Sequence, residues 1–330
     1  MEYRKLGNSN IEVSVIAFGA WAAGGWMWGG TDQQESVRAI QKSIDLGVTT
    51  IDTAAVYGFG LSEEIVAEAI AGKRDKVQIL TKYGLRWDTT RGIFYFDSQD
   101  AKGNFVKINK YAGKQGIVEE CERSLKRLKT DYIDLYQIHW PDPTTPIDET
   151  MEAVSTLLKD GKIRASGVSN YNVDQLKQAQ KVIPQASNQV PYSMVNRGIE
   201  NEMVPYCLEN NVGILAYSPL QRGLLTGKIT ADYKFASGDH RPGTGFFKPE
   251  NVERTNAFLE KIKPMAQEKN VTLSQLVINW TTRQPGITCA LVGARNPAQA
   301  EENAKAAQFT LTKEEIDTIN SHLSELQLVS

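Results

Sequence analysis

The sequence has few of the residues that build metal and disulfide centres. Of 330 residues, only three are cysteine and three histidine. Cys121, Cys207 and Cys289 lie far apart and form no CxxC pair. Neither a metal knuckle nor a disulfide framework is expected, and a reducing, cytoplasmic setting is. His139, His240 and His322 are equally scattered, which argues against a histidine-rich metal site. A charge excess is also missing: 37 lysines and arginines face 39 aspartates and glutamates, for a net charge of −2. Nucleic acid and anionic membrane surfaces attract basic proteins, so neither is an expected partner. Long apolar runs are scarce. Val13 to Gly30 carries no charge and approaches the length of a membrane span. Several glycines interrupt it, and the polar stretch Gly7 to Glu12 precedes it where a signal peptide would place basic residues. The reading is a buried strand, Val15 to Gly19, followed by a Gly/Trp-rich loop. No composition break or low-complexity tract divides the chain, so residues 1–330 are read as a single domain.

What the chain does contain is alternation. The first dozen residues read as a hairpin, Tyr3 to Leu6 and Ile11 to Ser14. Thr31 and Gln34 form a capping-box pattern before a helix carrying Val37, Ile40 and Ile44. Thr49 to Asp52 then reads as a short buried strand with Asp52 at its end. Tyr57 follows on a Gly-flanked turn, and Ser62 is placed to cap the next helix. Further apolar strands run from Val77 to Thr81, Tyr132 to Ile138, Arg164 to Val168, Ser187 to Val190, Gly213 to Tyr217 and Cys289 to Val292, each followed by helical periodicity. Tyr83 to Lys114 and Gln221 to Glu250 read as long excursions, which in compact domains tend to carry function. About eight strand–helix units over this length predict a closed (β/α)8 barrel of the TIM type, α/β in class, with an N-terminal β-hairpin and extra C-terminal helices.

In such a barrel, chemistry gathers at the C-terminal ends of the strands. Asp52, Lys82 and His139 fall there, with Tyr57 just beyond. Each has a structural reading of its own: a buried aspartate, a loop tyrosine, a solvated lysine, a hydrogen-bonded rim histidine. Together they form a chemical set. A phenol near pKa ~10 exchanges protons poorly at neutral pH. A neighbouring ammonium favours the phenolate, a carboxylate fixes the ammonium, and an imidazole can hydrogen-bond a reacting oxygen. Gly58 to Gly60 is only a G-x-G without a phosphate turn, and reads as loop geometry. Gly293-Ala294-Arg295-Asn296-Pro297, where the last strand opens onto a helix, is the better anion site. Helix N-terminal amides favour phosphate, and Arg295 adds a planar fork.

Asp52 and Tyr57 in DTAAVYG, Lys82 in TKYG and His139 in LYQIHWPDP resemble the aldo-keto reductase family, in the right order and across essentially the whole chain. DYIDLYQIHWPDP and RGLLTGK look most like its bacterial general-stress and inositol-catabolism branch. The resemblance implies an NADP-dependent oxidoreductase that reduces aldehydes or ketones, or oxidises the corresponding alcohols. Tyr57 would be the proton donor, Lys82 and Asp52 would tune it, and His139 would orient the carbonyl. It further implies that Gly293, Arg295, Gln299 and Asn303 hold the adenosine end of NADP, with Ala294 and Glu302 also in the cofactor site. Ser169, Asn170 and Gln189 would bind the carboxamide, and Tyr217 would stack on the nicotinamide. Ser218, Leu220 and Gly223 would cover the pyrophosphate, with Pro219 and Leu225 also in the cofactor site. Gly19, Ala20, Trp21 and Asp52 complete the expected cofactor wall, while Trp21 and Trp140 are expected to line the substrate pocket. The chain departs from the commonest family signature at Gly47-Val48-Thr49, at Ala20 and in TKYG, and these departures bear on substrate identity. A monomer or weak homo-oligomer acting on a small carbonyl or alcohol is expected. The alternatives are a redox-sensing, NADP-binding regulatory subunit with slow turnover, and a Schiff-base enzyme using Lys82.

Overall fold

A computed structural model describes residues 1–100 and 102–329. Ala101, inside the first excursion, and Ser330, at the end of the expected domain, lie outside the described residues. The chain opens with antiparallel strands β1 (Tyr3–Lys5) and β2 (Glu12–Ser14), then enters the barrel at β3 (Ile16–Gly19). Helix α1 (Gln33–Asp45), β4 (Thr50–Asp52), α2 (Leu61–Ala69) and β5 (Gln78–Tyr83) follow. A three-stranded antiparallel sheet, β6 (Leu85–Arg86), β7 (Ile93–Gln99) and β8 (Phe105–Lys110), interrupts the alternation. It resumes with α3 (Lys114–Leu128), β9 (Ile133–Ile138), α4 (Ile147–Lys159), β10 (Ile163–Ser169), α5 (Val173–Gln180), β11 (Ser187–Pro191), α6 (Met203–Glu209) and β12 (Gly213–Tyr217). Helices α7 (Pro249–Glu268) and α8 (Leu273–Thr282), strand β13 (Ile287–Gly293), and helices α9 (Pro297–Lys305) and α10 (Lys313–Ser324) complete the chain.

The strands β10-β11-β12-β13-β3-β4-β5-β9 close into an eight-stranded parallel barrel, the (β/α)8 fold. Its interior packs Leu80, Leu135, Leu215 and Leu291 against the hairpin residues Leu6, Ile11 and Val13. The hairpin thus closes the end of the barrel opposite the C-terminal strand ends. A larger apolar layer lies between strands and helices. Among the described residues no helix is long and apolar enough to cross a membrane. Nor does any group of three or more His, Cys, Asp or Glu side chains stand where it could hold a metal ion.

Several local expectations are corrected. The cap of α1 is not Thr31 but Asp32, whose carboxylate accepts from the Glu35 amide at 2.9 Å. Ser62 does not cap α2. It lies inside the first turn, bonded to Thr53 Oγ1 at 2.8 Å and donating to the Ala20 carbonyl at 2.9 Å. The capping position belongs to Gly60, whose φ of +106° and approach to Arg127 Cδ (2.7 Å from a hypothetical Cβ) only glycine tolerates. Buried beneath the preceding loop, Ser62 is diverted to tertiary bonding. About half of the excursion Tyr83 to Lys114 is strand, because aromatic and β-branched residues pair Ile93–Gln99 with Phe105–Lys110. Asp100 tightens its turn by accepting from the Lys102 and Asn104 amides at 2.8 and 2.9 Å.

Helix α3 carries a buried acid. Glu120 Oε2 accepts from the Gly84 amide at 2.9 Å while Oε1 lacks a partner, and burial pushes the carboxyl up to about 8. The folded protein therefore keeps a proton at neutral pH that the unfolded chain has lost. Stability falls as pH rises from about 4.5 towards about 8. Glu120→Gln, which can still accept from Gly84, should remove that slope and stabilise the protein at pH 8 by about 1–3 kcal/mol. Urea unfolding at pH 5 and pH 8 checks this; an unchanged pH slope would count against it.

Candidate active site

The C-terminal strand ends surround a cavity of about 610 Å³, within the size range of small-molecule sites. At its foot Asp52, Tyr57, Lys82 and His139 meet. Strand β4 delivers Asp52, and the adjacent parallel β5 delivers Lys82, two residues beyond Leu80, the register partner of Asp52. Lys82 Nζ donates to Asp52 Oδ2 at 2.6 Å and to the Thr53 carbonyl at 2.9 Å, and lies 3.5 Å from Tyr57 Oη. Gln189 Nε2 donates to the other oxygen, Asp52 Oδ1, at 2.7 Å. His139, at the end of β9, meets the Tyr57 ring edge-to-face with centroids 5.5 Å apart. Tyr57, Asp52 and His139 line the cavity, while Lys82 sits beneath them at 1% exposure.

The electrostatics depart from expectation in one respect. Burial, reinforced by Asp52 and Tyr217, raises the Tyr57 phenol well above its usual value. Burial outweighs the expected lowering by Lys82, whose ammonium is paired with Asp52. Burial lowers Lys82, against the opposing pull of Asp52. Burial first and Lys82 second hold the His139 imidazole well below its usual value, so the ring is neutral at pH 7. The set therefore presents a protonated phenol and an uncharged imidazole to one space.

A hydrogen-bonded chain forms the next wall. Ser169 Oγ donates to the Gln189 carbonyl at 2.9 Å, and Asn170 Nδ2 donates to Ser169 Oγ and to the His139 carbonyl at 3.1 and 3.0 Å. Tyr217 Oη donates to Asn170 Oδ1 at 2.9 Å. Asn170 and Ser218 hold left-handed backbone conformations, φ +59° and +58°, strain of the kind kept at functional sites. Further along the cavity, Asn296 caps α9, and Gln299 Oε1 accepts from the Arg295 amide at 2.9 Å. Asn303 Nδ2 donates to the Gly293 carbonyl at 3.0 Å. Arg295 is exposed at this rim.

Gly19, Trp21, Trp140, Ser169, Asn170, Gln189, Tyr217, Ser218, Pro219, Leu220, Gly223, Gly293, Ala294, Arg295, Gln299, Glu302 and Asn303 all line the same cavity. Ala20 and Leu225 do not. Both are fully buried, Ala20 bonded through its amide to the Asp52 carbonyl and Leu225 packed in the outer core. The strand and turn backbone turns these side chains away from the space their neighbours face.

The cavity also contains residues not singled out from sequence. Arg222, His240 and Arg241 come from the second excursion, and Tyr95 and Phe96 from β7. The His240 ring lies 5.0 Å from Trp21 and 5.3 Å from Trp28, and its Nδ1 bonds the Met27 carbonyl at 2.7 Å. The two loops thus meet over the cavity. The only local signal was the arginine of Gln221-Arg222-Gly223; nothing in its spacing marked His240. Trp21 Nε1, Trp28 Nε1 and Arg222 Nε are buried donors without partners. Leaving such donors unmet costs about 1–3 kcal/mol each, and together they suit a ligand rich in acceptor oxygens, as the phosphates of a dinucleotide are.

The family model for the Aldo/keto reductase family matches residues 15–324. The chain belongs to that family. It is therefore an aldo-keto reductase family oxidoreductase, and the family's reductant is a nicotinamide cofactor. The aldo-keto reductase YhdN of Bacillus subtilis is 43% identical over 98% of this chain and 94% of its own. The NADH-specific methylglyoxal reductase of Escherichia coli is 35% identical over 93% and 94%. Among solved structures, the glycerol dehydrogenase AKR11B4 from Gluconobacter oxydans superposes with a TM-score of 0.87 at 37% identity, covering 99% of this chain and 97% of that one. The last two of these family members differ in the substrates their names carry.

Proposed function

We propose that this aldo-keto reductase is an NADP-dependent reductase of aldehydes and ketones in which Tyr57 protonates the carbonyl oxygen. The observation that carries the reading is the Asp52–Lys82–Tyr57 contact series beside His139 at the foot of the cavity. A phenol raised by burial stays protonated at neutral pH, as a proton donor must. Neutral His139 is suited to hydrogen-bond the substrate oxygen and hold it towards Tyr57. Lys82, fixed by Asp52 and the Thr53 carbonyl, places a positive charge beside the phenol, where it would favour the negative charge left on Oη as the proton departs. Gln189 holds the second oxygen of Asp52 and so keeps the carboxylate on Lys82.

A bound nicotinamide dinucleotide supplies the hydride. Tyr217, with Ser169, Asn170 and Gln189, would hold its nicotinamide end. Ser218, Pro219, Leu220 and Gly223 would lie along its pyrophosphate. The unpartnered donors of Trp21, Trp28 and Arg222 fit the oxygen-rich part of such a ligand. Gly293, Ala294, Arg295, Gln299, Glu302 and Asn303 would take the adenosine end, with Arg295 facing a 2′-phosphate.

Preference for NADP over NAD is the part of this reading that a relative's NADH specificity puts to the test. Arg295→Ala should lower the NADPH-over-NADH ratio of kcat/KM about tenfold or more, the effect of one charge-assisted contact. An unchanged ratio would place the phosphate site elsewhere.

A further inference from the structure

We infer that the hairpin β7–β8 selects the substrate: with Trp26 and Trp140 it presents a flat apolar slot that takes a carbonyl compound bearing an aryl ring. This rests on the reductase reading above. Successive residues of a strand normally face opposite sides. Tyr95 and Phe96 are successive, yet both line the cavity, because the pairing register of β7 with β8 shifts between Phe94 and Phe96. Such an irregularity re-aims a side chain, and here it brings two rings to one wall. Phe96 stacks on Trp26, with centroids 6.0 Å apart and planes 20° apart, and Trp26 lies 6.4 Å from the Tyr57 ring. Tyr95 abuts Trp140 at 5.8 Å. Leu85 completes this wall.

Apart from the Tyr95 hydroxyl, which lies near enough to Tyr217 to act on its phenol, the wall has little to offer a hydroxyl. The indole Nε1 of Trp26 already donates to Ser98 Oγ at 2.7 Å. A polyol chain placed here would lose most of its water and gain few partners, whereas an aryl ring would gain apolar burial and ring contacts. The unmet buried donors of the cavity belong to Trp21, Trp28 and Arg222, which are not hairpin residues. Lys110, from β8, stands 4.0 Å from the Tyr95 ring centroid and 5.1 Å from that of Trp140. It does not line the cavity. Its charge against both ring faces makes it a positioning residue that holds the slot open at a fixed width.

The test is kcat/KM for benzaldehyde and for glyceraldehyde, with NADPH and with NADH, in the wild type and in variants of the hairpin. The wild type is expected to favour benzaldehyde. Phe96→Ala should lower the benzaldehyde-over-glyceraldehyde ratio about 10–100-fold, chiefly through KM for the aryl substrate. Tyr95→Leu should act in the same direction, and reports on the slot should Phe96→Ala fold poorly. Lys110→Met should shift the same ratio, and Lys110→Arg should restore it, which loss of hairpin stability alone would not produce. A wild-type preference for glyceraldehyde, or equal losses for both aldehydes in the ring variants, would overturn the inference while leaving the reductase reading standing. Absence of any reduction with either nucleotide would overturn both.

Discussion

Tyr57→Phe should lower kcat/KM for carbonyl reduction by about 10²–10⁴-fold, the usual contribution of a positioned general acid. The variant is well suited to the question because the ring keeps its place. The contacts of Tyr57 with Trp21, Trp26 and His139 are ring contacts, at 6.1, 6.4 and 5.5 Å between centroids. Its hydroxyl has one long contact, 3.5 Å from Lys82 Nζ. Melting temperature and nucleotide binding should therefore stay close to the wild type while turnover falls. The pH dependence follows from the direction of the phenol shift. With the phenol raised, the donor form persists through neutral and mildly alkaline pH, so wild-type reduction should stay level there. Alcohol oxidation needs the phenolate and should climb with pH over the same range. Steady-state rates in both directions decide it. Equal reduction rates in a folded Tyr57→Phe protein would remove Tyr57 from its proposed part.

The second large effect is on stability. Asp52 and Lys82 are 4% and 1% exposed, and their ion pair at 2.6 Å lies below the cavity floor. Asp52→Ala leaves a buried ammonium with the Thr53 carbonyl and the Tyr57 hydroxyl, and strips Gln189 Nε2 of its acceptor. Breaking a buried pair from one side costs about 3–5 kcal/mol. The loss should depend on pH. A lysine whose folded pKa is lowered binds fewer protons folded than unfolded, so the variant should gain stability as pH rises towards the ordinary lysine value. Adding Lys82→Met should recover much of the lost stability, because the stranded charge is gone, but it should not restore turnover. Urea unfolding of both singles and the double gives the coupling energy directly. An Asp52→Ala protein within about 1 kcal/mol of the wild type would show that the pair holds little of the barrel together.

The strands were legible because a parallel strand buried on both faces leaves a nearly continuous apolar run in the sequence. Gly213 to Tyr217 has the same bounds in sequence and structure, and the other barrel strands differ at their ends by a residue or two. Caps whose bonds are local, such as the Thr312–Glu315 box of α10, leave a pattern within a few residues of sequence. Ser62 misled because a hydroxyl that could have served its own helix was bonded across the fold to Thr53 and Ala20. The sheet inside the first excursion was missed because β7 and β8 are largely exposed, so neither leaves a buried apolar run, and their register shifts.

Strand ends mark where side chains must emerge, and so Asp52, Lys82, His139 and the last-strand loop stood out as candidates; the family resemblance made a set of them. Their chemical state was not legible in the sequence. Whether an ammonium lowers a neighbouring phenol depends on what else surrounds both, and only the packed barrel buries Tyr57 and sets Asp52 on Lys82 first. The roof of the cavity was likewise a tertiary decision. Trp28 and His240 are remote in sequence, and their meeting depends on two loops folding onto each other. The periodicity of one chain fixes which residues face inward; the distances between faces, and with them dielectric, charge and fit, arise only when eight strands close on one another.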